Sequence, residues 1–325
     1  MKAMLITENH DLVWKETETP TVRADEVLVR VYAAGVNRAD LLQREGKYPS
    51  PAGCPPWCGL EIAGEIVTVG EDVGRWHVGD RVCALLGGGG YAEYAAVRWD
   101  MLMPVPAGLS MEEAASLPEA FATSYLNLFH EGHMECGQTV YISAGASGLS
   151  SVAVPMAKAF GARVITSVRR EEQVAYVRDL GADRVILSTS ESVAEIFRQE
   201  EAAGRPVHLA MDCLGGEGLG ECLPYMAKGG YWILISTLAG VETTVPLRPL
   251  LTKGLHLAGS MLRNRTPAFK AALLAELVDR VWDKIEQGVI RPTVSRVFPI
   301  TEANEAHAYL QRGGNTGKVV LHVPS

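Results

Sequence analysis

The sequence predicts an α/β protein built from a doubly wound parallel sheet and a second, smaller β-barrel domain. Three observations predict this. Residues 139–170, TVYISAGASGLSSVAVPMAKAFGARVITSVRR, read as strand, glycine loop, helix and strand. Beyond them, apolar β-branched runs alternate with helical stretches, the rhythm of a parallel sheet covered on both faces. Ahead of them come short strands bounded by glycine and Gly-Asp turns, which indicate a compact barrel.

Each element follows in chain order. Ala3–Ile6 and Leu12–Trp14 read as a strand pair meeting at Asn9-His10-Asp11. EVLVRVYAA, from Glu26 to Ala34, alternates apolar and polar residues as a half-buried strand does. It runs through Gly35-Val36-Asn37-Arg38-Ala39-Asp40 into a short helix, LLQRE, capped by Asp40 ahead of Leu41, and then a proline-rich loop from Tyr48 to Pro56. Strands are expected at Glu61–Gly70, Arg81–Leu85 and Tyr91–Val97. Ser110-Met111-Glu112-Glu113 is a capping sequence. It opens a helical pattern from Met111 to about His130, interrupted near Pro118.

Val140–Ile142 then leads into Ser143-Ala144-Gly145-Ala146-Ser147-Gly148, and a helix begins at Leu149 and closes at Gly161. Small loop residues let backbone approach a pyrophosphate, and the helix start offers free N–H groups and partial positive charge. The match to G-x-G-x-x-G is imperfect, with Ser150 in place of the last glycine. Pro155 inside this helix is expected to kink or loosen it. Strands follow at Arg163–Thr166, Arg184–Leu187, His208–Asp212, Tyr231–Ile235 and Leu255–Gly259, with helices at Glu171–Leu180 and Ser190–Glu201. The tail carries an amphipathic helix (Ala268–Gln287), a strand (Val294–Pro299), a helix (Glu302–Arg312) and a last strand (Lys318–Val323). It is expected to return to the barrel, which divides the chain into 1–120 with 262–325, and 121–261.

Composition bounds the function. A chain of 325 residues, 47% hydrophobic and 21% charged, has room for about two domains with a substantial core. Its net charge of −8 argues against a nucleic-acid surface or an anionic membrane surface as partner. No run approaches the roughly 18 apolar residues of a membrane span. MKAMLITENHD is interrupted by an acid and a histidine before a signal core forms, so the chain is read as cytoplasmic. The 6 cysteines show no framework spacing and are read as free thiols. Cys54 and Cys58 are the one close pair, and nothing completes a zinc site around them.

Taken together, the motifs resemble those of the medium-chain dehydrogenase/reductase superfamily, and more narrowly its zinc-free quinone oxidoreductases related to zeta-crystallin. The residues that carry the resemblance are Gly35 to Asp40, Gly46-Lys47-Tyr48-Pro49, Gly59-Leu60-Glu61-Ile62-Ala63-Gly64, Gly79-Asp80-Arg81-Val82, Leu117-Pro118-Glu119-Ala120, Ala144 to Gly148, and Asn315-Thr316-Gly317-Lys318-Val319. The resemblance implies a GroES-like barrel domain, a Rossmann domain, NADPH bound in the cleft between them, and a homodimer through the edge strand near Leu255–Gly259. It also implies no metal. Zinc-dependent relatives place a cysteine where Asn37 stands, a His-Glu pair where Leu60-Glu61 stands, and a four-cysteine lobe that has no counterpart here.

The cofactor positions follow from the loop and from the resemblance. Gly145, Ala146, Ser147, Gly148 and Leu149 form the phosphate loop, and Thr123, Ser188, Ser236, Leu238, Arg263 and Asn315 are cofactor positions implied by the family. An NAD site places an acid about twenty residues past the glycine loop. Here Thr166-Ser167-Val168-Arg169-Arg170 offers a hydroxyl and paired guanidiniums, which suit a 2′-phosphate. The alternative is a solvated helix start balanced by Glu171 and Glu172. On the acceptor side, Asn37 is expected to donate to an acceptor oxygen. Tyr48 is expected to hydrogen-bond the acceptor or pack against its ring. Gly87–Gly90 is either an open turn admitting a flat substrate or a plain hairpin. Three functions stay open: an NADPH-dependent quinone reductase, an NADPH-dependent reductase of activated C=C bonds in enones or enoyl thioesters, and an NADPH-binding structural or regulatory protein.

Overall fold

The computed structural model describes residues 1–324. It divides into two compact units. The first holds Met1–Ala122, Arg263–Gly288 and the chain from Pro292 onward; the second holds Thr123–Leu262 and Val289–Arg291.

The first unit opens with β1 (Lys2–Ile6) and β2 (Leu12–Glu16), an antiparallel pair turning at His10, whose φ is 63°. The alternating EVLVRVYAA stretch becomes β3 (Glu26–Val36), longer than expected because it continues through small residues. It puts Val27, Val29, Val31 and Ala33 in the core. Helix α1 (Arg38–Arg44) follows, then β4 (Glu61–Val69), β5 (Arg81–Leu85), β6 (Tyr94–Arg98), β7 (Leu102–Pro104) and α2 (Met111–Ala114). Ser110 caps α2 by accepting from the Glu113 N–H. The helical pattern is interrupted at residues 115–117, as expected, and Pro118 opens α3 (Pro118–Tyr125), since a first-turn residue needs no N–H donor.

The second unit is built on β8 (Thr139–Ile142), α4 (Ser150–Ala159), β9 (Arg163–Val168), α5 (Glu172–Asp179), β10 (Arg184–Leu187), α6 (Val193–Ala202), β11 (Val207–Asp212), α7 (Glu217–Cys222), β12 (Met226–Leu234), α8 (Leu247–Lys253) and β13 (His256–Gly259). Its six strands are parallel in the order β10-β9-β8-β11-β12-β13. That is the doubly wound order, and its direction reverses at β8 and β11, where such sheets bind ligands. Tyr141, Phe197 and Trp232 pack ring to ring in the core beside Ile165, Ile186 and Leu223.

Two elements here have no clear sequence signature. Helix α7 is glycine-rich, and α8 contains Pro249 and buries no residue. Helix α4 runs unbroken through Pro155, and Ser150 to Ala157 are all buried, so packing on every side holds it.

The tail, α9 (Pro267–Glu286), β14 (Val294–Pro299), α10 (Ala303–Arg312) and β15 (Lys318–His322), completes the first unit. Its seven-stranded sheet has the order β14-β15-β3-β4-β5-β7, with β6 also on β3. The last strand therefore lies directly against β3, and this pairing builds the site.

Candidate active site

In the first unit, sheet register brings three polar side chains together at one end of β3. Val319 pairs with Val36, which sets Lys318 opposite Asn37. Ala34 pairs with Ile62, which sets Glu61 opposite Gly35. Glu61 lies over Gly35 because that position has no side chain; a Cβ there would run into the Glu61 carboxylate and the Ala115 carbonyl. The Asn37 Nδ2 donates to Glu61 Oε1 at 2.8 Å, and the Lys318 ammonium donates to Asn37 Oδ1 at 2.7 Å. The same ammonium donates to Glu61 Oε1, and Glu61 Oε2 accepts from the Glu119 N–H at 2.8 Å. Lys318 and Glu61 are both buried, so the ion pair is held by this full set of hydrogen bonds.

Asp40 sits in the first turn of α1 and does not cap a helix starting at Leu41. Its two oxygens accept from the Gly59 and Asn37 N–H groups, each at 2.8 Å. Burial pushes its carboxyl up to about 6 against the pull of those bonds.

Tyr48 lies in the proline-rich loop, half-buried, with the Arg263 guanidinium 4.5 Å from its ring centre. Burial raises the phenol above its ordinary value of 10.0, and the guanidinium draws it back. Arg263 was expected on the cofactor rim. It is buried in the first unit, donating to Gln43 Oε1, to the Gly87 carbonyl and to the Tyr48 carbonyl. Its guanidinium thus fastens the Tyr48 loop to α1 and to the Gly87 turn. Asn315 is also buried there, donating to the Gly317 carbonyl at 2.8 Å.

In the second unit, the loop after β8 turns through Ala144, a non-glycine residue at φ 52°. Gly145 packs against Thr166 so closely that a Cβ would strike its hydroxyl. The Gly145 N–H donates to the Ser167 carbonyl, the Ser147 N–H to the Ala144 carbonyl, and the Ser150 N–H to Ser147 Oγ. Among the described residues, the N–H groups of Ala146, Gly148 and Leu149 have no protein acceptor. These unspent donors precede the ten-residue α4, where helix polarity favours an anion. Nearby in sequence, Ser124 Oγ and Asn127 Oδ1 are buried without a partner among the described residues, and Asn127 Nδ2 donates to the Thr123 carbonyl. The residues present fit a dinucleotide.

Strand β9 runs two residues past the expected Thr166, and this corrects the reading of its end. The Ser167 hydroxyl faces the core, 2.9 Å from the Tyr141 hydroxyl, and is not free for a phosphate. Arg169 and Arg170 are exposed immediately after the strand, and Arg170 lies 3.8 Å from Glu172. Ser188 is exposed and donates to the Val168 carbonyl; Ser236 is half-buried and Leu238 is 50% exposed after β12.

Glu61 and Lys318 are the members of the Asn37 cluster to which the sequence alone assigns no role. A lysine opening a strand whose next three residues are apolar, KVVLH, is the signal that points to it. Among the described residues no group of three or more His, Cys, Asp or Glu side chains could hold a metal ion, and all the cysteines are free.

Residues 23–107 match the family model described as Alcohol dehydrogenase GroES-like domain, and residues 180–321 match that described as Zinc-binding dehydrogenase. The chain is 33% identical to quinone oxidoreductase-like protein 2 homolog of Nematostella vectensis, over 94% of this chain and 83% of that one. It is 29% identical to a 2-haloacrylate reductase of a Burkholderia species, over 96% and 95% of the two chains. Among solved structures it superposes on the quinone oxidoreductase of Thermus thermophilus, described with its NADPH complex. The TM-score is 0.83 and the identity 33%, over 99% of this chain and 100% of the other.

Proposed function

This chain is an oxidoreductase of the zinc-free quinone oxidoreductase branch of the medium-chain dehydrogenase/reductase superfamily, and from that premise we propose that it is an NADPH-dependent quinone reductase. The observation that carries the reading is the Asn37 amide. One Nδ2 proton goes to Glu61, and among the described residues no protein acceptor takes the other. A quinone carbonyl oxygen gains negative charge as it is reduced, and a fixed N–H donor stabilises that charge.

A nicotinamide cofactor, when bound, supplies the hydride, and with it both electrons. The chain's own residues do the rest. The Ala146, Gly148 and Leu149 N–H groups hold the pyrophosphate, and Arg169 and Arg170 pair with the 2′-phosphate that distinguishes NADPH from NADH. Asn37 donates to the quinone oxygen, and Tyr48 packs against the ring. Hydride and one solvent proton convert quinone to quinol, so no protein acid is required. The Thermus thermophilus enzyme's NADPH complex supports the cofactor choice.

A second reading, reduction of activated C=C bonds, is favoured by the guanidinium over Tyr48 and by the similarity to the 2-haloacrylate reductase. In that reaction hydride goes to one alkene carbon and the Tyr48 phenol gives its proton to the other. The phenolate is then reprotonated from solvent, and Arg263 stabilises it meanwhile.

Tyr48→Phe separates the two. Its rates with NADPH are measured against 9,10-phenanthrenequinone and against 2-chloroacrylate. Quinone reduction is expected to stay within about threefold of the parent, and alkene reduction to fall roughly 10²–10⁴-fold. Equal loss of both activities would contradict this division of roles.

A further inference from the structure

We propose that Lys318 is a positioning residue for catalysis: together with Glu61, its ammonium fixes the orientation of the Asn37 amide and polarises it toward the acceptor. The inference rests on the acceptor-side role of Asn37 proposed above and goes beyond it, since it concerns two residues that do not touch the acceptor.

Asn37 has two orientations that differ by exchange of its oxygen and nitrogen. In the observed one, Oδ1 meets the ammonium at 2.7 Å and Nδ2 meets the Glu61 carboxylate at 2.8 Å. Flipping the amide would set its NH2 against an ammonium and its oxygen against a carboxylate. Both contacts would be repulsive, and the pair is buried where water screens little. One orientation is therefore locked, and it is the one with an N–H to spare.

The same ion pair acts on the electrons of the amide. A cation at Oδ1 draws density toward the oxygen and leaves the nitrogen poorer, so its remaining N–H becomes a stronger donor. Lys318 reaches this position because β15 pairs with β3 in the register that sets it opposite Asn37. Nothing about the fold requires a lysine there: the neighbours on β15, Val319, Val320 and Leu321, are apolar and buried.

The test compares Lys318→Met, and Glu61→Gln with Lys318→Met, in the parent and in an Asn37→Ala background. The double variant removes the carboxylate charge that the single one would leave buried and unpaired. Thermal melting identifies which variants fold, and NADPH titration checks the cofactor site. With NADPH and 9,10-phenanthrenequinone, kcat is expected to fall about ten- to hundredfold, the range of a weakened charge-assisted hydrogen bond. KM and the NADPH Kd should change little. In the Asn37→Ala background the same substitutions should cost nothing further, because their target is gone.

A second readout needs no turnover. The side-chain 1H–15N resonances of Asn37, identified by their loss in Asn37→Ala, are expected to move upfield when the ion pair is neutralised. Unmoved resonances, an unchanged kcat, or an equal loss in both backgrounds would overturn the inference. If the parent protein reduces neither quinone nor alkene but the resonances do move, the proposed function fails and the polarised amide stands.

Discussion

At Arg169 a guanidinium is exposed just past the end of β9, and at Ser167 a hydroxyl two residues earlier is turned into the core. The contrast follows from where the strand ends, since Ser167 lies inside β9 and Arg169 lies beyond it; under the proposed function, recognition of a 2′-phosphate then falls to the arginines alone. Hydrogen bonds between charged groups contribute about 1.5–3 kcal/mol. Arg169→Ala is therefore expected to raise the Kd for NADPH roughly ten- to hundredfold and to leave that for NADH unchanged. Fluorescence titration with the two nucleotides checks this. The arginine pair was legible in the sequence because two cations directly follow an apolar strand. The fate of Ser167 was not, because it depends on β9 running on to Val168 alongside β10.

At the scale of elements, the proposed acceptor site is a product of strand register. Asn37 directly follows β3, Glu61 begins β4 and Lys318 begins β15, and three adjacent strands bring them into one cluster. Gly35 is the residue that permits it. Gly35→Ala would push a methyl group into the Glu61 carboxylate and the Ala115 carbonyl. It is expected to destabilise the protein by about 1–3 kcal/mol, the range for overpacking, read as a lower urea midpoint at unchanged slope. Quinone turnover should fall with it. Asn37 and Tyr48 could be singled out from their local motifs. Lys318 could not be joined to them, because its pairing with β3 connects opposite ends of the chain and no local pattern encodes it. The hydrogen bonds of Arg263 were not legible in the sequence for the same reason. Its partners Gln43, Tyr48 and Gly87 are all far away in sequence, and only the folded first unit brings them to its guanidinium.

At the scale of the whole molecule, the alternation of strands and helices made the two architectures readable, and the acid response depends in part on a histidine that no motif marks. His307, on α10, is buried with its Nε2 3.2 Å from the Tyr91 hydroxyl and its Nδ1 without a partner among the described residues. Burial lowers it from 6.5 to about 3. An imidazole whose folded pKa is depressed stabilises the fold above its unfolded pKa, and that stability is lost as pH falls. Stability should therefore fall by up to about 1.4 kcal/mol per pH unit on acidification from 6.5 toward 3. Asp40 runs the other way. Its carboxyl, raised from 3.8 to about 6, favours the fold below 3.8 and loses that contribution as pH rises through 6. Urea unfolding of His307→Gln beside the parent, across this pH range, isolates the histidine as the difference between the two curves. A difference that does not change with pH would contradict the assignment.

Hydride transfer from NADPH to a quinone is tested by the initial rate of anaerobic NADPH oxidation with 9,10-phenanthrenequinone, run in parallel with NADH. Fast turnover with NADPH and little with NADH is expected. Tight NADPH binding with no quinone turnover would contradict it and transfer the function to an enone or enoyl acceptor.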